Sequence, residues 1–265
     1  MGTSLSKPVI AWKLLTTIDN WPLYAADKFG WMHRPYLLRS GGLVCRVRPQ
    51  CTDRWAVIEN MVLDQYHLST WQGEHFDTIV DLGAHIGTFT LQAARLFPRA
   101  RILAIEPYPE SFDFLIQNVA LNALQARVTT RRAAVTAGSA PTATLFLGAH
   151  GGLHTTTVPL PLSLEVPNLS LPDLLPMVHG RALLKMDIEG AETAILEKYE
   201  DHLVHTFSLI LIERHAGALT KPRSALTPPR LEGAEIEVIA DGKRSYLPHP
   251  YPKHGLPAPL QPSNT

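Results

Sequence analysis

Eleven residues, VDLGAHIGTFT from Val80 to Thr90, constrain the fold more tightly than any other stretch of this chain. Ile79 and Val80 read as a buried strand with Asp81 at its carboxyl end. Gly83 and Gly87 then allow a tight turn in which backbone can approach a ligand closely. A helix from about Phe89 to Phe97 starts where that ligand would lie.

The positions of the glycines and the carboxylate narrow the ligand. A dinucleotide loop, G-x-G-x-x-G, turns a helix N-terminus toward a pyrophosphate. This chain has G-A-H-I-G instead, and no G-x-x-x-x-G-K-[ST] phosphate loop. An acidic residue ahead of the glycines would repel a pyrophosphate but suits a cationic amine and sulfonium, the charge pattern of S-adenosylmethionine (SAM) and, in part, of its product S-adenosylhomocysteine (SAH). The loop therefore favours SAM over a nicotinamide cofactor, with Asp81, Gly83, Ala84, His85, Gly87 and Thr88 as candidate contacts. A second strand, Arg101 to Pro107, places Glu106 25 residues past Asp81, where one carboxylate can accept both ribose hydroxyls. Pro107 and Tyr108 follow at the same edge. Ala133 and Ala134 suit the edge of an adenine ring.

From Thr78 the order is strand, helix, strand, helix, strand, with elements expected at 78–82, 89–96, 101–105, 111–121 and 127–135. Such alternation predicts a mostly parallel, doubly wound α/β sheet with right-handed crossovers, whose ligands bind beyond the strand carboxyl ends. Ahead of it, residues 1–70 read as helices and a β-hairpin packed on the core. Asn20 is the expected cap of the second helix, Arg39, Arg46 and Arg48 are expected at exposed hairpin positions, and a helix is expected over 53–66. Residues 71–248 form the ligand-binding domain, interrupted at about 138–172 by an inserted β-hairpin. Residues 249–265 read as a mobile proline-rich tail.

VDLGAHIGTFT, IEPYPESFDFLIQNVALN (105–122), RAAVT (132–136), KMDIEGAE (185–192) and LIERH (211–215) occur in order and resemble the FkbM-type family of SAM-dependent methyltransferases. The resemblance spans roughly residues 18 to 245. It implies a class I methyltransferase (Rossmann-like) fold with an N-terminal extension. It also implies O-methylation of a small metabolite, a sugar or a glycosylated or polyketide-like natural product. The alternatives are a SAM-binding but catalytically silent accessory protein and a nicotinamide-dependent oxidoreductase, the latter weakened by the glycine spacing.

Lysine plus arginine equals aspartate plus glutamate at 24 each, so no global field favours nucleic acid or an anionic membrane. Cys45 and Cys51 are too few for a disulfide framework and read as free thiols. The longest apolar runs fall short of a membrane span, and no cleavable signal peptide is legible, so a cytoplasmic location is expected. Met1 to Ser6 fits the short acylation pattern M-G-x-x-x-[ST], which is read as a chance match.

An alcohol acceptor is barely ionised near neutral pH, so methylating it needs a group to take its proton or a metal to acidify it. Asp187 and Glu189 stand two apart after one late strand, as do Glu213 and His215 after the next, and these four are the candidate catalytic residues. Asp187 also counts among the cofactor contacts. Glu189 has the alternative role of a helix N-terminal carboxylate. A Mg²⁺ ion held by these carboxylates is possible chemistry but is not favoured, and no metal site is assigned. His150 and His154, flanked by glycines in the insert, are candidates either for substrate contact or for plain exposure.

Overall fold

The computed structural model describes residues 6–148, 154–214, 235–240 and 243–247. Two helices, α1 (Lys7–Thr17) and α2 (Trp21–Lys28), lead into an antiparallel hairpin of β1 (Tyr36–Ser40) and β2 (Leu43–Val47). The hairpin is followed by α3 (Asp53–Val57), a π-helical turn (Ile58–Val62) and a 3-10 turn (Leu68–Trp71). The expected single helix over 53–66 is therefore two short pieces. Asn20 does not cap α2: its amide donates to the Leu37 carbonyl and its oxygen accepts from the Arg39 amide, bracing β1 instead.

The core sheet contains β3 (Thr78–Leu82), β4 (Arg101–Ile105), β5 (Val128–Arg131), β10 (Ala182–Met186), β11 (Leu209–Arg214), β12 (Glu235–Ala240) and β13 (Lys243–Leu247). Their order is β13-β12-β11-β10-β3-β4-β5. The five strands from β11 to β5 run parallel, whereas β12 and β13 are antiparallel additions at one edge. All five residues of β3 and of β10 are buried, as expected for central strands covered on both faces. Helices α4 (Thr88–Leu96), α5 (Pro109–Leu121) and α7 (Glu192–Thr206) supply the crossovers. One core layer packs Phe76, Phe89 and Phe97 with β3 and β4; the other packs Leu82, Ile105, Ile195 and Leu203. This is the class I SAM-methyltransferase-like α/β architecture with an N-terminal extension.

The strand expected over 127–135 is split. β5 belongs to the core sheet, the chain breaks at Arg132 and Ala133, and β6 (Ala134–Thr136) joins a second, four-stranded sheet in the order β6-β9-β7-β8. That sheet is built from the insert: β7 (Thr142–Leu147), β8 (His154–Thr155) and β9 (Ser163–Ser170), with β7 antiparallel to both β8 and β9. A short helix, α6 (Leu171–Leu174), returns the chain to β10. Among the described residues no helix is long and apolar enough to cross a membrane. The proline-rich tail 249–265 lies outside the described residues.

Topology sets the site. β4 and β5 lie on one side of β3 and β10 on the other, so the chain reverses its winding between β3 and β10, and the crevice beyond their carboxyl ends is where such sheets bind ligands. Gly83 stands at that crevice with φ +74°, and a Cβ there would come within 1.7 Å of the Asp187 carbonyl oxygen. The glycine is demanded by the close crossing of two backbones as well as by its left-handed conformation. Gly83→Ala should therefore lose more than about 2 kcal/mol of stability, from combined strain and overpacking, read as a lowered midpoint in urea.

Candidate functional site

Each side of the crevice is held by buried charge. Asp81, fully buried, accepts a 2.6 Å hydrogen bond from Thr90 Oγ1 and lies 3.2 Å from Lys185 Nζ. Lys185 also donates to the Gly83 carbonyl at 2.8 Å and the Leu82 carbonyl at 3.3 Å, and stands 3.5 Å from Asp187. Burial disfavours its charge, but the carboxylates of Asp81 and Asp187 outweigh that and hold the ammonium well above the usual lysine range. Sequence reasoning missed Lys185, which lies inside an apolar strand. Its signal was present all the same, as a single charge in the run ALLKM.

Glu106 is buried and uses each carboxylate oxygen to accept one backbone N–H, from His85 at 2.8 Å and from Tyr108 at 2.9 Å. Burial raises its pKa, with His85 opposing. A carboxylate oxygen can accept a second hydrogen bond, so the group keeps capacity for a diol. His85 itself adopts φ +51°, which turns its amide toward Glu106 and its ring the other way. That ring, at Nε2, lies 3.2 Å from Asp53 Oδ1 and 3.2 Å from Arg48 Nη2.

Arg48 is thus not an exposed hairpin residue. It is 7% exposed and makes a two-pronged pair with Asp53, Nε to Oδ2 at 2.9 Å and Nη2 to Oδ1 at 2.7 Å, while also donating to Ser111 on α5. The extended-strand alternation that keeps Arg39 and Arg46 outside ends at Val47, and the chain turns inward there. Despite burial, the His85 and Arg48 hydrogen bonds hold Asp53 well below the usual carboxylate range. Asn60, in the π-helical turn, donates to Thr88 at the start of α4, and Asn118 donates to the Ile86 carbonyl. Gly87, with φ +90°, lets α4 start against Leu115 of α5, 2.7 Å from where a Cβ would stand. Thr88 and Ala84 are buried, Pro107 is half-buried, and Ala133 and Ala134 line the break between β5 and β6.

The other side of the crevice is acidic. Tyr66, buried at the end of the extension, donates to Glu213 Oε2 at 2.8 Å and lies 3.2 Å from Asp187 Oδ2; Gln65 donates to the same Glu213 oxygen at 2.9 Å. Burial and the two carboxylates push the Tyr66 phenol well above its usual range, so it stays a donor. Glu59, also missed from sequence, is half-buried and faces the same group: burial first, then Glu213, Asp187 and Glu189, raise its pKa well above normal. β10 ends at Met186, so Asp187 and Glu189 stand beyond the strand and do not share a strand face. Glu189 instead takes φ +54°, and its carbonyl accepts from Thr155 at 2.6 Å. The helix-start role considered for Glu189 is filled by Glu192, which accepts the amides of Ile188 and Gly190. His215 and His150 lie outside the described residues.

Two outcomes are expected from these charges. Asp53→Ala removes the two-pronged carboxylate partner of the buried Arg48, leaving the exposed Glu110 as its ion-pair partner, and should cost about 3–5 kcal/mol in chemical denaturation. Glu59 binds its proton more tightly folded than unfolded, so its contribution to stability is present below the unfolded value of about 4.3 and is lost as pH rises through the elevated folded value. Glu59→Gln should therefore flatten the fall in melting temperature between mildly acidic and neutral pH, and an unchanged slope would assign that fall to other groups.

Comparison with known proteins bears on this arrangement. The family model described as Methyltransferase FkbM domain matches residues 81–225. Methyltransferase sdnD of Sordaria araneosa is 54% identical over 44 residues, an alignment that spans 17% of this chain and 17% of that protein. Among solved structures, M. jannaschii TYW2 in complex with AdoMet shares 15% identity over 72% of this chain and 68% of its own, with a TM-score of 0.36. Precorrin-6y C5,15-methyltransferase from Geobacter metallireducens GS-15 shares 16% over 56% and 60%, with a TM-score of 0.33. Because the family match runs from Asp81 through the glycine turn, Glu106, Lys185 and Asp187 and covers more than half of the sequence, this chain belongs to the FkbM family of SAM-dependent methyltransferases.

Proposed function

We propose that the protein transfers a methyl group from SAM to a hydroxyl of a small metabolite, a sugar or a glycosylated or polyketide-like natural product. The observation that carries this reading is the pairing of two carboxylate sets across one crevice. Glu106 lies on one side, and Asp187, Glu213, Glu189 and Glu59 lie on the other, with Tyr66 between Asp187 and Glu213. The residues fit the cofactor. A buried carboxylate held by two amides suits a ribose diol, and a crevice with this excess of acidic side chains suits a ligand carrying an ammonium and a sulfonium. When bound, SAM supplies an electrophilic methyl group.

The chain's own residues then have two tasks. Gly83, the His85 amide and Glu106 position the nucleoside, and exact placement provides much of the rate in a displacement of this kind. Tyr66 and Gln65 orient the Glu213 carboxylate, and Tyr66 with Lys185 orients Asp187, so these groups face an incoming hydroxyl as fixed acceptors for its proton.

Glu106→Ala should weaken SAH binding by at least about 10-fold in calorimetry, because each lost charge-assisted hydrogen bond is worth about 1.5–3 kcal/mol. Unchanged affinity would remove Glu106 from the cofactor site. Glu213→Gln should keep SAH affinity and slow turnover by about 10²- to 10⁴-fold with a competent acceptor, and Asp187→Asn, at a group also read as a cofactor contact, should slow turnover as much. If EDTA abolishes turnover and Mg²⁺ restores it, Lewis-acid activation replaces direct proton removal.

A further inference from the structure

The insert crosses the crevice at β8, and its two residues touch both sides. The imidazole of His154 lies on the ring of Tyr108, with centroids 4.1 Å apart and planes tilted by 46°. Tyr108 is one of the two residues whose amides hold Glu106. The next residue, Thr155, is buried and ties its hydroxyl to the Glu189 carbonyl and to Thr157, against which Gly190 packs with no room for a side chain. β8 is therefore anchored on the acceptor side while His154 reaches the nucleoside side. Neither ring nitrogen of His154 has a hydrogen-bond partner among the described residues, although both atoms are buried.

We propose that His154 is a direct contact of the adenosine part of the cofactor, its imidazole forming part of the nucleoside pocket wall beside Tyr108; the inference rests on the SAM reading above. A neutral imidazole carries one donor and one acceptor, which match a ribose hydroxyl or the edge of an adenine, both of which present a donor and an acceptor. A buried donor and acceptor without partners is unfavourable, and a ligand that supplies them relieves this. Burial, with the nearby charges of His85 and Arg48, lowers the His154 pKa to about 4, so the ring is uncharged at neutral pH and adds no repulsion toward a cationic ligand.

The test uses calorimetry of SAH and of 5′-methylthioadenosine, which keeps the nucleoside and lacks the amino-acid end, on the full chain and on His154→Phe and His154→Gln. His154→Phe retains an aromatic ring but removes both nitrogens. It should weaken both ligands by about 10-fold or more, and His154→Gln, which restores a donor and an acceptor, should recover part of that loss. Equal affinity of wild type and His154→Phe for both ligands overturns the proposal. A loss confined to SAH also overturns it, since the contact would then be with the amino-acid end. A merely structural role would lower the ligand-free melting temperature of both variants without rescue by glutamine, and that outcome too rejects a direct contact. Failure of the SAM reading is distinct: the wild-type chain would then bind neither ligand.

Discussion

The ammonium of Lys185 is the interaction on which the site depends. It is buried between the carboxylates of Asp81 and Asp187 and bonded to the carbonyls of Leu82 and Gly83, so a single charge joins the carboxyl ends of β3 and β10 where the sheet reverses its winding. A buried ion is costly unless its partners are close and its donors are satisfied, and here the ammonium has two carboxylates and two carbonyls. The rings of Tyr66 and Phe89 lie within 6 Å of the ammonium and add cation–π attraction. With Lys185 in place, Asp81 and Asp187 can stand near one another at the centre of the fold, and the Gly83 turn is drawn against the Asp187 backbone.

A second consequence concerns the N-terminal extension. Although it precedes the sheet domain in sequence, it supplies working parts of the crevice. Arg48 and Asp53 fix the His85 ring, and the His85 amide in turn fixes Glu106; Tyr66 and Gln65 fix Glu213. The extension also carries its own apolar layer, with Leu38, Val47, Ile58 and Met61 packed against Ile86 and Leu91 from the glycine turn and α4. The Glu106 side and the Asp187–Glu213 side of the crevice are thus braced by one continuous segment.

The two halves of the crevice are arranged by different forces. On the Glu106 side, charges are paired: Asp53 with Arg48 and the His85 ring, Glu106 with backbone amides, and Asp81 with Lys185. On the Asp187–Glu213 side, like charges crowd together, and the pKa of Glu59 is raised first by burial and then by that crowding. Paired charges favour a rigid binding surface. Crowded ones favour a group ready to take a proton, which is the property the proposed chemistry uses.

Much of this was legible in the sequence. The period-two and helical patterns around VDLGAHIGTFT and RILAIEP set the order of strands and helices, because buried parallel strands need continuous apolar runs and turns need glycine. Asp81 and Glu106 followed from their places at strand ends. The sequence also determined the candidate carboxylates near residues 187 and 213, since chemistry-bearing residues in such sheets cluster just past the strands. What it could not determine were contacts between residues far apart in the chain. Arg48 reads as exposed from strand alternation and becomes buried because Asp53 and His85, 5 and 37 positions away, converge on it. Glu59 and Tyr66 carry no local mark of function, the lone charge of Lys185 in an apolar strand names no partner, and the split after β5 is set by β9 pairing with β6. Local patterns report which face of an element is apolar; only the packed chain decides which charges meet, because their pairing is selected by burial and distance across elements and leaves no period in the sequence.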